Sequence, residues 1–263
     1  MPFNEVVDPQ ILLGALLIGA GVGFLSGAFG KGGSAVSTPL LHALGVPAIV
    51  AIASPLPATI PSTLLASRGY ARAGHVDREV LRTGLIIGLP LTALGAFLTR
   101  WIAGGPLVLA TDAILLVLSM RVLLGAHTSA HADDDESQAD DAQPVSRTRT
   151  VGVVAVAAMV SGLLGNSGGF LLAPLFMNVL HMPIRRALGT SLALAAALAV
   201  PGTIVHAWLG HIDWSLSLAF GLASVPFATL GATTALRVRE RSLSLAYGVG
   251  IGMLAGGLLV FAR

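Results

Sequence analysis

The chain has 263 residues, of which 54% are hydrophobic and only 11% charged, and its mean hydropathy is +0.83. A soluble globule is about a quarter charged, so a cytosolic enzyme and a nucleic-acid binder are excluded as first readings; a secreted disulfide scaffold is excluded by the lack of cysteine. The isoelectric point of 9.7 does not restore a nucleic-acid partner, because the formal net charge is +2 and no basic run exceeds Arg185-Arg186.

The first ten residues hold Glu5 and Asp8 but no Lys or Arg. They lack the positive region of a cleaved signal peptide, so the first apolar segment is expected to be retained. Apolar segments run over 11–29, 34–44, 47–68, 80–99 and 106–124, and again over 151–164, 169–180, 187–209, 214–236 and 243–261. They are rich in Ala, Leu, Gly and Val, and a stretch of about 20 such residues crosses a hydrocarbon core roughly 30 Å thick. Between the two sets lies 125–149, an acidic tract containing Asp133, Asp134, Asp135, Glu136, Asp140 and Asp141. It has no hydrophobic periodicity and is expected to be a disordered cytoplasmic linker between repeats at 9–124 and 150–262. His127 and His131 within it are read as solvated spacer residues in preference to metal ligands.

The two sets repeat each other. At an offset of 135, Ser26-Gly27 matches Ser161-Gly162, Gly30 matches Gly165, Gly33 matches Gly168 and Pro39-Leu40 matches Pro174-Leu175. At an offset of 136, Gly74-His75-Val76-Asp77 matches Gly210-His211-Ile212-Asp213, and Leu94-Gly95-Ala96 matches Leu230-Gly231-Ala232. The basic residues then test the topology, since cytoplasmic loops are enriched in Lys and Arg. A single crossing for each of 11–44 and 151–180 divides them eight to six, which is no bias. If those regions instead go in and come back, Arg68, Arg72, Arg78, Arg82, Arg121, Arg147, Arg149, Arg185, Arg186, Arg237, Arg239 and Arg241 share one side, against Arg100 and Arg263. The tally of twelve to two favours the second arrangement. The expected fold is therefore an all-α polytopic membrane protein of two inverted repeats, each with a glycine-broken re-entrant or short-helix pair plus three spanning helices, 8–10 membrane segments in total. Both termini are placed outside.

Each repeat has one place where the helical pattern fails: Gly30-Lys31-Gly32-Gly33-Ser34 and Gly165-Asn166-Ser167-Gly168-Gly169. Clustered glycines unwind a helix, and unwound backbone at membrane depth survives only when buried in protein or lining a wet cavity. The short segments that follow would aim their N-termini at such a cavity, and helix N-termini bind anions. Lys31 is the sole lysine, and an anionic substrate is its natural counterion; snorkelling to a nearby cytoplasmic face is the alternative. The candidate substrate site is Lys31, Gly32, Gly33, Ser34, Asn166, Ser167 and Gly168, with Ser37 as a further small donor. Ser54, Thr190 and Ser191 supply hydroxyls at matching positions of the two repeats, either to the cavity or as interhelical hydrogen bonds. Asp112 and His206 are candidates for proton coupling, although both lie near the outer ends of their spans, where a structural role is favoured. The His75-x-Asp77 and His211-x-Asp213 pairs are read as turn and cap residues.

One enzyme-like pattern competes. Gly165-Asn166-Ser167-Gly168-Gly169 fits G-x-S-x-G, and with His206 it evokes an intramembrane serine hydrolase; the elbow requires a preceding strand, whereas a helix is expected here. A non-transporting membrane subunit is the third reading. Metal or cation transport is disfavoured, the spans offering one carboxylate and no cysteine, and no metal or cofactor is expected.

The run Ser26-Gly27-Ala28-Phe29-Gly30-Lys31-Gly32-Gly33 with Pro39-Leu40-Leu41, its echo through Pro174-Leu175, and Gly189-Thr190-Ser191 leading to Gly210-His211-Ile212-Asp213-Trp214 together resemble the TauE/SafE family of sulfite-exporter-like membrane transporters. The resemblance covers the chain outside the linker. It implies a multi-pass plasma (inner) membrane permease for sulfite, organosulfonates or related small anions, with the lipid bilayer as its other partner, no nucleic acid, and room for a homodimer. Two positions depart from the family pattern: Lys31 stands where many members have glycine, and Pro55 replaces the serine that Ser191 keeps in the other repeat.

Overall fold

A computed structural model of the chain describes residues 8–30, 34–102, 105–107, 113, 147–164, 169–239 and 242. Among these there is no strand. The helices are α1 (Pro9–Phe29), α2 (Ser34–Ala43), α3 (Ala48–Ala53), α4 (Leu56–Arg72), α5 (Arg78–Leu98), α6 (Arg147–Leu163), α7 (Gly169–Asn178), α8 (Ile184–Trp208) and α9 (Trp214–Arg237), with a 3₁₀ turn at Thr99–Trp101. Among the described residues, five stretches are long and apolar enough to cross a membrane: Pro9–Phe29, Ala48–Arg72, Arg78–Trp101, Ile184–Trp208 and Trp214–Arg237. The expected segments at 106–124 and 243–261 lie almost wholly outside the described residues, as does most of the acidic tract; residues 147–149, assigned above to that tract, open α6.

Local chemistry accounts for the helix boundaries. Asp8 Oδ1 accepts from Gln10 N at 2.9 Å, with Pro9 in the first helical position of α1. In the repeated Gly-His-x-Asp motif, Gly74 and Gly210 adopt φ of 77° and 71°, the left-handed stop that suits glycine. The aspartates then start the next helices: Asp77 Oδ1 accepts from Glu79 N and Val80 N, both at 3.0 Å, and Asp213 Oδ1 from Leu216 N at 2.9 Å. The apolar segment at 47–68, where the prolines of Ser54-Pro55-Leu56-Pro57 are expected to break the helix, divides into α3 and α4 at Ser54-Pro55, because the proline nitrogen has no hydrogen to continue the ladder.

Packing exchanges partners between the two halves. The most extensive contact is α1 along α9, and its counterpart is α6 along α5; α4 also packs on α8 and α9, and α5 on α8. The α1–α9 seam has no room for a side chain: a Cβ on Gly27 would strike the Ala228 carbonyl, and one on Gly231 would strike that of Phe24. The α5–α6 seam repeats this, with Gly162 against the Thr92 carbonyl and Gly95 against that of Met159. Small residues let membrane helices approach to backbone contact, where dispersion can act without a hydrophobic driving force. Thr92 Oγ1 donates to the Ala158 carbonyl at 3.2 Å across the second seam.

The two short helices double back. Leu41 and Val46, at and just beyond the end of α2, pack with Ala15 and with Leu216 near the start of α9. Leu180 and Met182, beyond the end of α7, pack with Val80 and Val153 near the starts of α5 and α6. At about 1.5 Å per residue, ten-residue helices such as these reach only about half of a 30 Å core.

Chemistry separates the two ends of the bundle. Trp101, Trp208 and Trp214, all of the chain's tryptophans, are exposed at one end, as in the aromatic belts of membrane interfaces. Arg100 joins them, its guanidinium 5.2 Å from the Phe97 ring centroid and 4.7 Å from that of Trp101. Arg185 Nη2 donates to the Val238 carbonyl at 2.7 Å, which sets the start of α8 beside the end of α9; the end of α4 and start of α5 join them, since Gly189 lies against Tyr70 and His75. Arg68, Arg72, Arg78, Arg82, Arg185, Arg186, Arg237 and Arg239 thus gather at the other end. Leu17, Leu218 and Leu222 are 63, 67 and 74% exposed, a lipid-facing surface.

These seams predict a sharp contrast. Gly27→Leu and Gly162→Leu should each destabilise the detergent-solubilised protein by about 3 kcal/mol or more, since backbone must separate to admit the side chain. Gly21→Leu, where a Cβ meets nothing within 4 Å, should leave the thermal midpoint within a degree or two.

Candidate transport site

The first glycine break begins where α1 ends. Gly30 terminates the helix with φ 64° and ψ 18°, and it abuts α8 so closely that a Cβ would meet Ser191 Oγ and Leu188 Cα. Ser191 Oγ donates towards the Gly30 carbonyl at 3.1 Å and the Leu188 carbonyl at 2.9 Å. Tyr70, fully buried on α4, places its hydroxyl 3.3 and 3.4 Å from the carbonyls of Gly27 and Ala28. The last carbonyls of a helix have no partner within it. At the end of α1 they are met by hydroxyls from two other helices.

This arrangement fixes the depth of the break. Ser191 lies seven residues into α8 from Ile184, about 10 Å along the axis from the basic end. Lys31, Gly32 and Gly33 lie outside the described residues, and Ser34 opens α2 with its backbone alone described. Asn166, Ser167 and Gly168 of the second break, and Asp112, also lie outside them. Ser37 is fully buried on α2.

The hydroxyls at matching repeat positions take parallel roles at opposite ends. Thr190 Oγ1 accepts from Asp77 N at 2.9 Å, at the basic end. Ser54 Oγ accepts from Asp213 N at 3.0 Å, at the tryptophan end. Each hydroxyl therefore clamps the aspartate that closes a corner belonging to the other half, and all of Ser54, Thr190 and Ser191 are fully buried. Ser191 stands beside Gly30, whereas Ser54 is far from it: α4 and α8 run antiparallel, with Tyr70 against Gly189 and Leu56 near Gly202. His206 is also fully buried, its Nδ1 3.1 Å from Nδ1 of His211.

Sequence reasoning passed over Tyr70. It occupies in the first repeat the position of His206 in the second, at the 136 offset, and is one of only two tyrosines in the chain. A phenol within an apolar span needs a hydrogen-bond partner, and that was the available signal.

The described chemistry around the end of α1 is that of small hydroxyl groups and helix ends among packed apolar helices, with no group of three or more metal-ligating side chains among the described residues. Residues 15–259 match the family described as sulfite exporter TauE/SafE. A "Probable membrane transporter protein" of Xylella fastidiosa (strain 9a5c) is 28% identical over 253 residues, covering 94% of each chain. Bacillus subtilis (strain 168) has the similar "Probable membrane transporter protein YunE", 26% identical over 236 residues, 82% of this chain and 84% of that one, and "Probable membrane transporter protein YjnA", 22% identical over 236 residues, 87% and 92%. No solved structure matches. With its family match running through both glycine breaks and both seams, the chain belongs to the sulfite exporter TauE/SafE family.

Proposed function

We propose that this chain is a secondary permease that moves a small anion, sulfite or an organosulfonate, across the plasma membrane by alternating access. The observation that carries the reading is the exchanged pair of corner clamps, Thr190 on Asp77 at one end and Ser54 on Asp213 at the other. Each closes one end of the bundle with a group from the opposite half, which is what a two-gated path between two halves requires. The halves are inverted repeats. This is supported by helix direction: α1 runs with α9, from Gly19 on Phe220 to Gly27 on Ala228, and α6 runs with α5, from Ala158 near Gly88 to Leu163 near Gly95. Since α5 starts at the basic end and α9 at the tryptophan end, the repeat mates α1 and α6 point oppositely. Inverted repeats with broken helices are a recurrent transporter architecture. Charge and tryptophan placement orient the molecule with the basic end cytoplasmic and the N-terminus outside.

The anion passes between the two breaks. Lys31, Gly32, Gly33 and Ser34 at the start of α2 receive it towards the cytoplasmic side, and Asn166, Ser167 and Gly168 before α7 receive it towards the outside. An inside-negative potential contributes about 2.3 kcal/mol per charge per 100 mV, enough for roughly a fiftyfold gradient of a monoanion, so export needs no ATP. The names of the relatives support transport over hydrolysis. His206, the base that a hydrolase would need, is directed at His211.

Two tests follow from this site. Replacing Lys31 with Ala should lower sulfite efflux from proteoliposomes at least about tenfold, the loss of one charge-assisted contact of about 1.5–3 kcal/mol; unchanged efflux would remove Lys31 from the site. Thr190→Val should speed amide hydrogen exchange at Asp77 about fivefold, and Ser54→Ala should do so at Asp213, each a lost hydrogen bond of about 1 kcal/mol. If both variants loosened both ends equally, the clamps would not be separate gates.

A further inference from the structure

The tryptophan end carries a group that neither the clamps nor the glycine breaks account for. His206 lies in the last turn of α8 and is fully buried. Its Nδ1 faces that of His211 at 3.1 Å, the ring centroids are 5.3 Å apart, and its Nε2 is buried with no partner among the described residues. One turn earlier on the same face, Thr203 Oγ1 is likewise buried without a partner among the described residues. His211 is half-buried in the α8–α9 corner, so it joins the buried ring to the aqueous face.

Two neutral imidazoles satisfy this geometry with one proton between them: one Nδ1–H donates to the other Nδ1 lone pair. A first added proton goes to a free ring nitrogen and turns the contact into a charge-assisted N–H···N bond. A second places an N–H on both Nδ1 atoms, and two donors and two positive charges then face each other at a distance that only a hydrogen bond sustains. The corner cannot keep this arrangement with both rings charged.

We propose that His206 and His211 form a proton-binding pair that holds the outer gate shut while it keeps a lone pair between the rings, and releases it when both rings are charged. The proposal rests on the alternating-access reading and adds the proton to it as the ligand of one gate. The link to the gate is covalent and short: Asp213, two residues after His211, gives its N–H to Ser54 of the other half. At the cytoplasmic end the matching position to His206 is Tyr70, whose hydroxyl meets the carbonyls of Gly27 and Ala28, so His75, the match of His211, has no histidine at that position to pair with.

The charged surroundings leave the pair to respond to pH by itself. On α8, no other titratable residue lies between Arg186 and His206. Along the described elements packed against α8, the outer halves of α4, α6 and α7 carry none. Past α5, Arg100 lies over Phe97 and Trp101, with Phe97 stacked on Trp208 at 6.5 Å. At the start of α9, the Asp213 carboxylate caps Leu216 N. Farther off at this end, His42 Nδ1 bonds the Val46 carbonyl at 3.0 Å and Asp8 caps α1. Burial holds the His211 imidazole below its ordinary value of 6.5. A lowered histidine value in the closed form means that closure is fully supported above about pH 6.5 and loses that support as pH falls through the lowered value.

The chain has no cysteine, which makes a single introduced one a clean reporter. In proteoliposomes, Thr203→Cys is labelled from outside with an impermeant maleimide at about pH 7.5 and about pH 5, and each rate is divided by that of the same cysteine in a His211→Gln background, which cancels the thiol's own titration. The ratio should rise about tenfold at the lower pH; His206→Phe serves as the denominator if His211→Gln does not fold. A ratio that stays constant overturns the proposal, and so does a ratio that responds to added Zn²⁺ at fixed pH but not to protons. Sulfite flux is measured on the same vesicles. Flux with a constant ratio leaves the transport reading standing without the histidine gate, whereas a pH-dependent ratio with no flux of any tested anion retains the gate and removes the transport reading.

Discussion

Close approach of backbones along two glycine seams is the constraint on which the rest of this molecule depends. Lipid tails are as apolar as leucine, so burying leucine against leucine gains little inside a bilayer, and helices associate by contact density and hydrogen bonding. Gly27 on the Ala228 carbonyl and Gly162 on the Thr92 carbonyl bring α1 to α9 and α5 to α6 with no side chain between them. With these pairs fixed, α4 and α8 fill the middle, and the short α7 packs on α8. A wider seam would carry Gly30 away from Ser191 and separate the Tyr70 hydroxyl from the carbonyls that it satisfies.

Polar groups are placed in this bundle to complete helix ends. Ser191 and Tyr70 meet the open carbonyls of α1, while Thr190 and Ser54 meet the amides of the two corner aspartates. In hydrocarbon each such group left alone costs several kcal/mol, so these hydroxyls are stabilising and also restrict movement. A hydroxyl that bridges two halves is a bond worth about 1 kcal/mol net when water can replace it.

Much of this was legible in the sequence because membrane segments obey few rules. The spans followed from apolar length, the repeat from Gly-His-x-Asp in register, and the helix starts at Asp77 and Asp213 from cap chemistry. The split at Ser54-Pro55 was visible as a proline. What stayed out of reach depended on which helix lies against which. Ser54 and Thr190 occupy equivalent positions and suggest one shared cavity, yet antiparallel packing of α4 on α8 sends them to opposite ends. Tyr70 and the contact between His206 and His211 likewise depend on where a chain corner folds. No periodicity encodes that. The glycine breaks themselves were legible, and the depth of the first became clear only from its contact with Ser191.

The partner exchange has a consequence for how the protein is made. Among the described residues, α1 is the first long helix in the chain and α9 the last, yet each is the other's most extensive neighbour. During synthesis α1 therefore waits in lipid with a bare glycine stripe while the chain between them is inserted, and α5 waits in the same way for α6 across the acidic tract. Neither half can finish its own packing. Both seams pair a helix before the 125–146 tract with one after it, so a cleavage there would divide each seam between two pieces.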